Sequence, residues 1–581
     1  MSLHGRVSTY PDTSSTQGGD RKTAISSLRR DLKLSKRTTG CPYKNSYVPR
    51  CQRENLITIN VIRDIILENL NTSFSNGFVR EVHATAPILF AVFVSLPVSL
   101  THFKTIFDRN IRDGQLPIDN IPYIAESGIE DDFWDVMDEI KDRQYTFFVP
   151  AFDRKGHHYH FEPHIKIPWT LYEKLGGGSY GTVHRVQLEP SHQAIYQLWN
   201  KEKNPCLALK VLKPHEQADK NFTQERDMLS RLLTLKDRHI VALLATYTQF
   251  GTHHLLFPFA DCNLRTYMEW WKAPDLGKPF MLWFINQLRG LTYALSRIHN
   301  YDEVPENYLN TDTGQHHDLK PENILFFSNL EEDVGEHGIL QLGDFGLGKF
   351  RSRDVGTLTQ TMKGAPTYRA PESEGGGISR PYDVFSLGCI FLEMIVWLLY
   401  GSKGLLNFSD GRVTRVNEFD PTYSNYTDDA FYIVIERGGC QLRPQVKDCI
   451  TRLHSHPSSK DTLGKVLLLV ESALEMDHNK RIKSYTMAKR LEELLKQAES
   501  EPEGHYIPIT EVEKFPTPTL RIDISTSNDQ HHSLMRMETP AQIRMDTSSP
   551  SVRNLSEGLS NPSAGHGLLA PRIDPRRGRL K

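Results

Sequence analysis

Spacing of apolar positions divides the chain into stretches of different character. Residues 1–44 are polar and basic, with Arg29-Arg30, Lys33 and Lys36-Arg37 against few acids, and they predict a disordered arm. From Leu56 onward Ile57, Ile59, Val61, Ile62, Ile65, Ile66 and Leu70 recur as a helix would place them on one broad face. Residues 84–100 carry no charge and include Pro87 and Pro97. They fall short of the ~20 residues a helix needs to cross a bilayer, so a buried core helix is the expectation. Helix-like stretches recur over 100–112 and 131–141, and residues 45–165 together read as a mainly helical accessory region.

The pattern then becomes strand-like. Trp169-Thr170-Leu171-Tyr172-Glu173-Lys174-Leu175 leads into Gly176-Gly177-Gly178-Ser179-Tyr180-Gly181-Thr182-Val183, and Val183-His184-Arg185-Val186 predicts a returning strand. The glycines leave backbone N–H groups open to phosphate oxygens. A dinucleotide-binding loop with the same glycine spacing would open a helix, so the flanking strands favour a hairpin. Cys206-Leu207-Ala208-Leu209-Lys210-Val211-Leu212 is an apolar strand with one lysine inside it, and burying that ammonium requires a partner. A longer apolar run, 389–399, predicts a core helix. Residues 499–581 turn rich in serine, threonine, proline and glycine without a helical period and predict a disordered tail.

Candidate chemistry lies between these elements. His316-His317-Asp318-Leu319-Lys320-Pro321-Glu322-Asn323 is followed by Asp344-Phe345-Gly346. Together they supply a carboxylate, an ammonium, an amide and a second carboxylate, the groups that phosphoryl transfer from ATP uses for positioning and charge cancellation. With the glycine-rich segment, Ala370-Pro371-Glu372 and Asp383-Val384-Phe385-Ser386-Leu387-Gly388, residues 168–497 resemble a eukaryotic protein kinase domain of serine/threonine type. The resemblance implies an α+β, two-lobed protein kinase fold with a helical N-terminal accessory region and disordered termini. It implies ATP and Mg²⁺ as cofactors, Asp318 as the base that orients the acceptor hydroxyl, and Lys320 as a cation on the γ-phosphate. Asn323 and Asp344 would hold the metal. Gly176, Gly178, Gly181, Val183, Lys210 and Glu225 would contact or support the nucleotide, with Glu216 and Asp227 as neighbouring alternatives to Glu225. The lobe connection would run through 255–260, with Leu256 as gatekeeper. Glu372 and Arg481 would form a structural ion pair.

Two departures from the family pattern bear on activity. His317 replaces the usual arginine before the catalytic aspartate, which puts activation by loop phosphorylation in doubt; a histidine substitutes for it only when protonated, with an ordinary pKa near ~6.5. Ala365 lacks the hydroxyl that would bond Asp318 and Lys320, a role for which Thr367 is the substitute candidate. Thr357, Thr359 and Thr361 are candidate phosphosites, or simply residues of a polar loop. Residues 302–315 form a polar insert, and inserts at 328–338 and 402–429 read as solvated loops, with partner binding as the alternative. The neutral residue before Asp318, the 302–315 insert and the N-terminal block make the chain similar to fungal protein-kinase-domain proteins.

Composition adds little to this picture. A net charge of −2 over 581 residues gives no case for nucleic-acid binding, and no membrane span is expected. Met1-Ser2-Leu3-His4-Gly5-Arg6 has no apolar core of a signal peptide. Seven scattered cysteines without a C-x-x-C pair suit a reducing compartment, so cytoplasm or nucleus is expected. The histidines at 157, 158, 160 and 164 lack a completing ligand set, and no metal site is expected there. Expected partners are a protein substrate with a serine or threonine acceptor and a regulatory partner for the N-terminal region. A nucleotide-binding pseudokinase scaffold is the main alternative, and a small-molecule phosphotransferase is disfavoured by Ala370-Pro371-Glu372.

Overall fold

The structure, a computed structural model, describes residues 23–41, 45–70, 75–118, 132–177, 181–196, 204–214, 218–270, 277–299, 312–328, 337–346, 349–352, 366–375, 379–415, 427–435 and 439–502. Its first part is helical. Helix α1 (Ala24–Leu34) is capped by Thr23, whose hydroxyl accepts from the Ser26 N–H. A short ladder pairs β1 (Arg37–Thr38) with β2 (Ser46–Tyr47). Helices α2 (Arg50–Leu56), α3 (Ile59–Asn69), α4 (Asn76–Thr85), α5 (Pro87–Ser95), α6 (Leu100–Asp108) and α7 (Asp132–Gln144) follow. Their apolar faces meet in one cluster that includes Leu28, Leu32, Ile65, Phe90 and Phe103. The Asp113 carboxylate accepts from the N–H groups of Ile88 and Leu89, satisfying the open donors at the start of α5.

A six-stranded sheet comes next. It comprises β3 (His157–His160), β4 (Trp169–Gly177), β5 (Gly181–Leu188), β6 (Leu207–Leu212), β7 (Ala245–Gln249) and β8 (Thr252–Pro258) in the order β3-β7-β8-β6-β5-β4. All neighbours are antiparallel except β3, which runs parallel to β7. Helix α8 (Ala218–Leu235) packs Phe222, Met228 and Leu229 into the same core as Leu212 and Leu255 of this sheet.

The second lobe is built on helices. In chain order it contains β9 (Cys262–Asn263), α9 (Leu264–Trp270), α10 (Lys278–His299), β10 (Asp312–Gln315), β11 (Ile324–Phe327), β12 (Ile339–Leu342), β13 (Lys349–Ser352) and α11 (Arg380–Arg412). It closes with β14 (Thr414–Arg415), β15 (Thr427–Asp428), β16 (Tyr432–Val434), β17 (Cys440–Leu442), α12 (Pro444–Ser455), α13 (Thr462–Ala473) and α14 (Ser484–Ser500). β11 lies between β9 and β12, while β10 pairs with β13, so two small ladders frame the loop 316–323. The apolar part of α11 is long enough to cross a membrane, yet that window is wholly buried in the lobe core.

Several expectations need correction. Residues 1–44 are not uniformly disordered: α1 docks with Leu28 and Leu32 buried, an amphipathic signal masked by the surrounding basic residues. The helix expected from Leu56 is two, because Ile57 leaves helical geometry and Thr58 caps α3. Residues 402–412 continue α11 beyond a bend at Gly401 (φ 67°, ψ −171°) instead of forming a glycine-rich loop. The end of the folded region lies past 497, since α14 reaches Ser500 and the Lys278 ammonium bonds the carbonyls of Glu499 and Glu501, each at 2.7 Å. Residues 157–160, assigned to the accessory region by sequence, belong to the small-lobe sheet. Residues 1–22 and 503–581 lie outside the described residues.

The N-terminal region and the small lobe share hydrogen bonds: Gly40 N–H to the Trp169 carbonyl, Arg50 N–H to His192 Nε2 at 2.8 Å, and the Lys166 ammonium to the Ser46 carbonyl. Because Leu32 is almost wholly buried, Leu32→Ala should destabilise the protein by about 2–4 kcal/mol in urea denaturation. An unchanged midpoint would show that α1 is not docked in solution.

Candidate active site

Cross-strand partners project to the same side of a sheet. Lys210 on β6 pairs with Val183 on β5 and Leu255 on β8, and this row faces α8. The Lys210 ammonium lies 2.7 Å from Glu225 Oε1 and 2.9 Å from Asp344 Oδ1. Glu225 is almost completely buried, so its charge needs this partner. Burial opposes the charge on Lys210, but the two carboxylates outweigh it and hold the ammonium well above its ordinary range. Lys210 in turn lowers the Asp344 pKa, against the effect of burial. A Cβ on Gly346 would lie 3.4–3.5 Å from Asp344 Oδ1, Glu225 Oε2 and Lys210 Nζ, so the backbone here closes directly over the ion triad.

The 316–323 loop forms a second polar network. Asp318 Oδ2 accepts from the Lys320 ammonium at 2.9 Å and from Asn323 Nδ2 at 3.0 Å, and Asn323 Nδ2 also bonds the Asp318 carbonyl. His316 is fully buried, packs on Phe345 with ring centroids 4.7 Å apart, and bonds the Gly343 carbonyl through Nε2. The Gly343 N–H reaches the Asn323 carbonyl. These links tie the loop to Asp344, whose carboxylate also feels the Lys320 charge. Left-handed backbone at His317 (φ 67°) and Asp344 (φ 54°) aims both segments inward, a strained geometry typical of functional loops.

That strain is held from below. Asp383, on the first turn of α11, accepts from the backbone N–H groups of His316 and His317 at 2.8 Å each and from His299 Nε2 at 3.1 Å. Burial would raise its pKa, but the His299 hydrogen bond and the charges of His299, His317 and His316 bring it down to about 2. Sequence reasoning quoted Asp383 only as part of a motif and missed this function. Its signal was a carboxylate at the edge of a long apolar helix.

The glycine-rich segment is a hairpin: Gly176 pairs with Val183 and Gly177 with Thr182. A Cβ on Gly181 would sit 2.4 Å from the Val211 carbonyl, so only glycine fits. Gly178 lies outside the described residues. Leu256 requires correction as gatekeeper. It pairs with Leu209 and packs with Trp169 and Tyr247 on the face of the sheet away from Lys210. Leu255 and Phe257 share the Lys210 face, and Phe257 pairs with Ala208 next to the lobe connection. Three consecutive apolar residues, Leu255-Leu256-Phe257, gave no alternation from which to read the face.

Thr367 does not reach Asp318 or Lys320; its hydroxyl donates to the Asp429 carboxylate, at 2.7 Å to Oδ1. His317 is buried with Nε2 on the Gln315 side-chain oxygen at 2.5 Å. Ala365 and the threonines at 357, 359 and 361 lie outside the described residues. Arg481 grips Glu372 with two parallel bonds of 2.7 and 2.9 Å. Arg265 of α9 bridges Glu322 of the loop and buried Glu393 of α11, at 3.2 Å to each, a charge cluster the sequence did not announce.

Asn323 and Asp344 suit a hard cation. Asn323 spends its N–H₂ on Asp318, which turns its side-chain oxygen to acceptor duty, and Asp344 keeps a half-exposed carboxylate beside it in the fold. One amide and one carboxylate match Mg²⁺, which retains water and takes further oxygens from phosphates.

Replacing Asp383 tests the loop anchor. Asp383→Asn should lose about 1–3 kcal/mol at pH 7 in urea denaturation, because an amide cannot accept all three donors. The folded pKa of about 2 lies below that of an unfolded aspartate. The wild-type contribution is therefore complete above pH ~4 and fades as pH falls toward 2. Asp383→Asn should flatten stability over that window, and an unaltered slope would deny the anchor its charge.

Comparison with known proteins agrees with this geometry. The protein kinase domain family profile matches residues 169–491. Curated relatives include cyclin-dependent kinase 14 of Callithrix jacchus, 33% identical over 227 residues that cover 38% of this chain and 44% of the relative. The Homo sapiens protein of that name is 33% identical over 38% of this chain and 40% of its own length. The Xenopus tropicalis one is 32% identical, with 38% and 44% covered. The matched segment thus spans less than half the length of these relatives. With more than half of its residues inside the family profile, this chain belongs to the protein kinase domain family.

Proposed function

We infer that the chain is an ATP-dependent protein kinase that transfers the γ-phosphate to serine or threonine hydroxyls. The observation that carries the reading is the junction of two networks, Lys210–Glu225–Asp344 and Asp318–Lys320–Asn323, through the Gly343 backbone. Lys210, held charged and aimed by Glu225, would bind the α- and β-phosphates. Asp318, its carboxylate oriented by Lys320 and Asn323, would fix the acceptor hydroxyl in line with the γ-phosphate. Lys320 would balance charge on the transferred group. Asn323 and Asp344 would hold Mg²⁺, which when bound bridges the phosphates and offsets their charge. Lysine two residues after the base and the kinase relatives support the serine/threonine choice.

The scaffold reading keeps one observation in its favour: the Thr367 hydroxyl bonds the Asp429 carboxylate and not Asp318. It argues for slow turnover more than for none, since the residues that meet the nucleotide are present. The relatives are cyclin-dependent by name; for this chain the corresponding proposal is a protein partner on the N-terminal region. Seven free cysteines fit a reducing cytoplasm or nucleus.

The test is phosphorylation of a generic basic protein by full-length enzyme with labelled ATP. Lys210→Met and Asp318→Asn should each lower the rate by ~10²–10⁴ with melting midpoints close to wild type. Wild-type protein that binds nucleotide yet transfers no phosphate with Mg²⁺ or Mn²⁺ would establish the scaffold instead. With the His317 ring committed to Gln315, phosphatase treatment should leave the rate within about twofold. A large loss would mean that another cation reads the 353–365 segment.

A further inference from the structure

Strand β3 lies upstream of the family match at 169–491, yet it completes the small-lobe sheet on its β7 edge. Of its alternating side chains, His158 turns toward α8, the helix that carries Glu225. The His158 ring lies 5.3 Å from the ring of Phe222, one helical turn before Glu225 and on the same buried side. A second ring against Phe222 is that of His253 of β8, stacked at 4.0 Å with only 4° between ring planes. Thr248 joins the two histidines: its Oγ1 is 3.3 Å from His158 Nε2 and 2.9 Å from His253 Nδ1. His158 Nδ1 bonds Thr246 Oγ1 at 2.8 Å, and His253 Nε2 bonds Asp219 on the first turn of α8 at 2.7 Å. At the far end of the helix, Gly156 (φ 74°) comes so close to Leu233 that a Cβ would lie 2.9 Å from Leu233 Cδ1. The segment therefore touches α8 near both ends.

A helix whose glutamate must meet a lysine on a different element needs its position fixed, since a shift of an ångström or so breaks the pair. We propose that residues 156–160 are a built-in positioning element for α8, with His158 acting through Phe222 and Thr248 to hold Glu225 against Lys210. Burial, foremost, and the neighbouring charges of His160 and Arg226 keep the His158 pKa at about 4, so a neutral ring makes these contacts near neutral pH. The role separates β3 from a mere edge cover: it links the segment before the kinase domain to the ion triad through a few named side chains. Its kinetic consequence rests on the phosphotransfer reading, whereas its structural consequence does not.

The experiment compares full-length wild type, His158→Ala and His158→Gln, the last retaining a hydrogen-bonding group of similar reach. Amide hydrogen exchange over 218–235 should quicken ~10-fold or more in His158→Ala, with exchange in 380–400 unaltered, and His158→Gln should restore most of the protection. In the phosphorylation assay, kcat of His158→Ala should fall ~10-fold with KM for the protein substrate within about twofold, and His158→Gln should recover. Unchanged exchange over 218–235 overturns the proposal, and so does an equal rise across 380–400, which would mark general loosening. Should wild type transfer no phosphate, the phosphotransfer reading fails while the exchange measurement still decides this one.

Discussion

An ammonium buried beside two carboxylates is the constraint around which this fold is arranged. Lys210 comes from a strand, Glu225 from a helix and Asp344 from a loop of the other lobe; the buried charges of Lys210 and Glu225 depend on each other, and the half-exposed Asp344 carboxylate adds to their pairing. Desolvation makes the pairing obligatory; the elements must therefore arrive together. The left-handed turn at Asp344 is the backbone concession made where the third partner joins the pair.

Support for the triad comes from both directions along the chain. Below it, the 316–323 loop hangs from a carboxylate on α11, so its unfavourable backbone at His317 is compensated by hydrogen bonds from the lobe core. Above it, α8 lies against a sheet that has gained a strand from the preceding region, which is itself packed as a helical cluster and bonded to the same lobe at Trp169 and His192. Accessory region and kinase domain thus share one set of mechanical supports.

Legibility from sequence followed the range of the interactions. Asp318, Lys320 and Asn323 lie within six residues and bond one another, so adjacency in the chain nearly equals adjacency in space. Lys210 announced itself as a charge inside an apolar strand, a local anomaly that demands a partner. Leu256 failed because facing is set by ladder register, and an unbroken apolar run hides register. Thr367 was misjudged because its partner, Asp429, comes from a distant segment whose approach no local pattern records. Helix α1 reads as part of a disordered arm and the continuation of α11 past Gly401 as a loop, since short amphipathic spacing and a single kink glycine carry weak signals beside charge and polarity. The bridge from Arg265 to Glu322 and Glu393 joins three elements and left no trace in any of them separately.

The anchoring of His316 and His317 to a single aspartate has an architectural outcome. Because that aspartate sits on the first turn of a helix whose apolar window is wholly buried, the loop backbone is fixed to the interior of the lobe. Repacking of the first turn of α11 would therefore reach the loop backbone directly, through one carboxylate and two amide bonds.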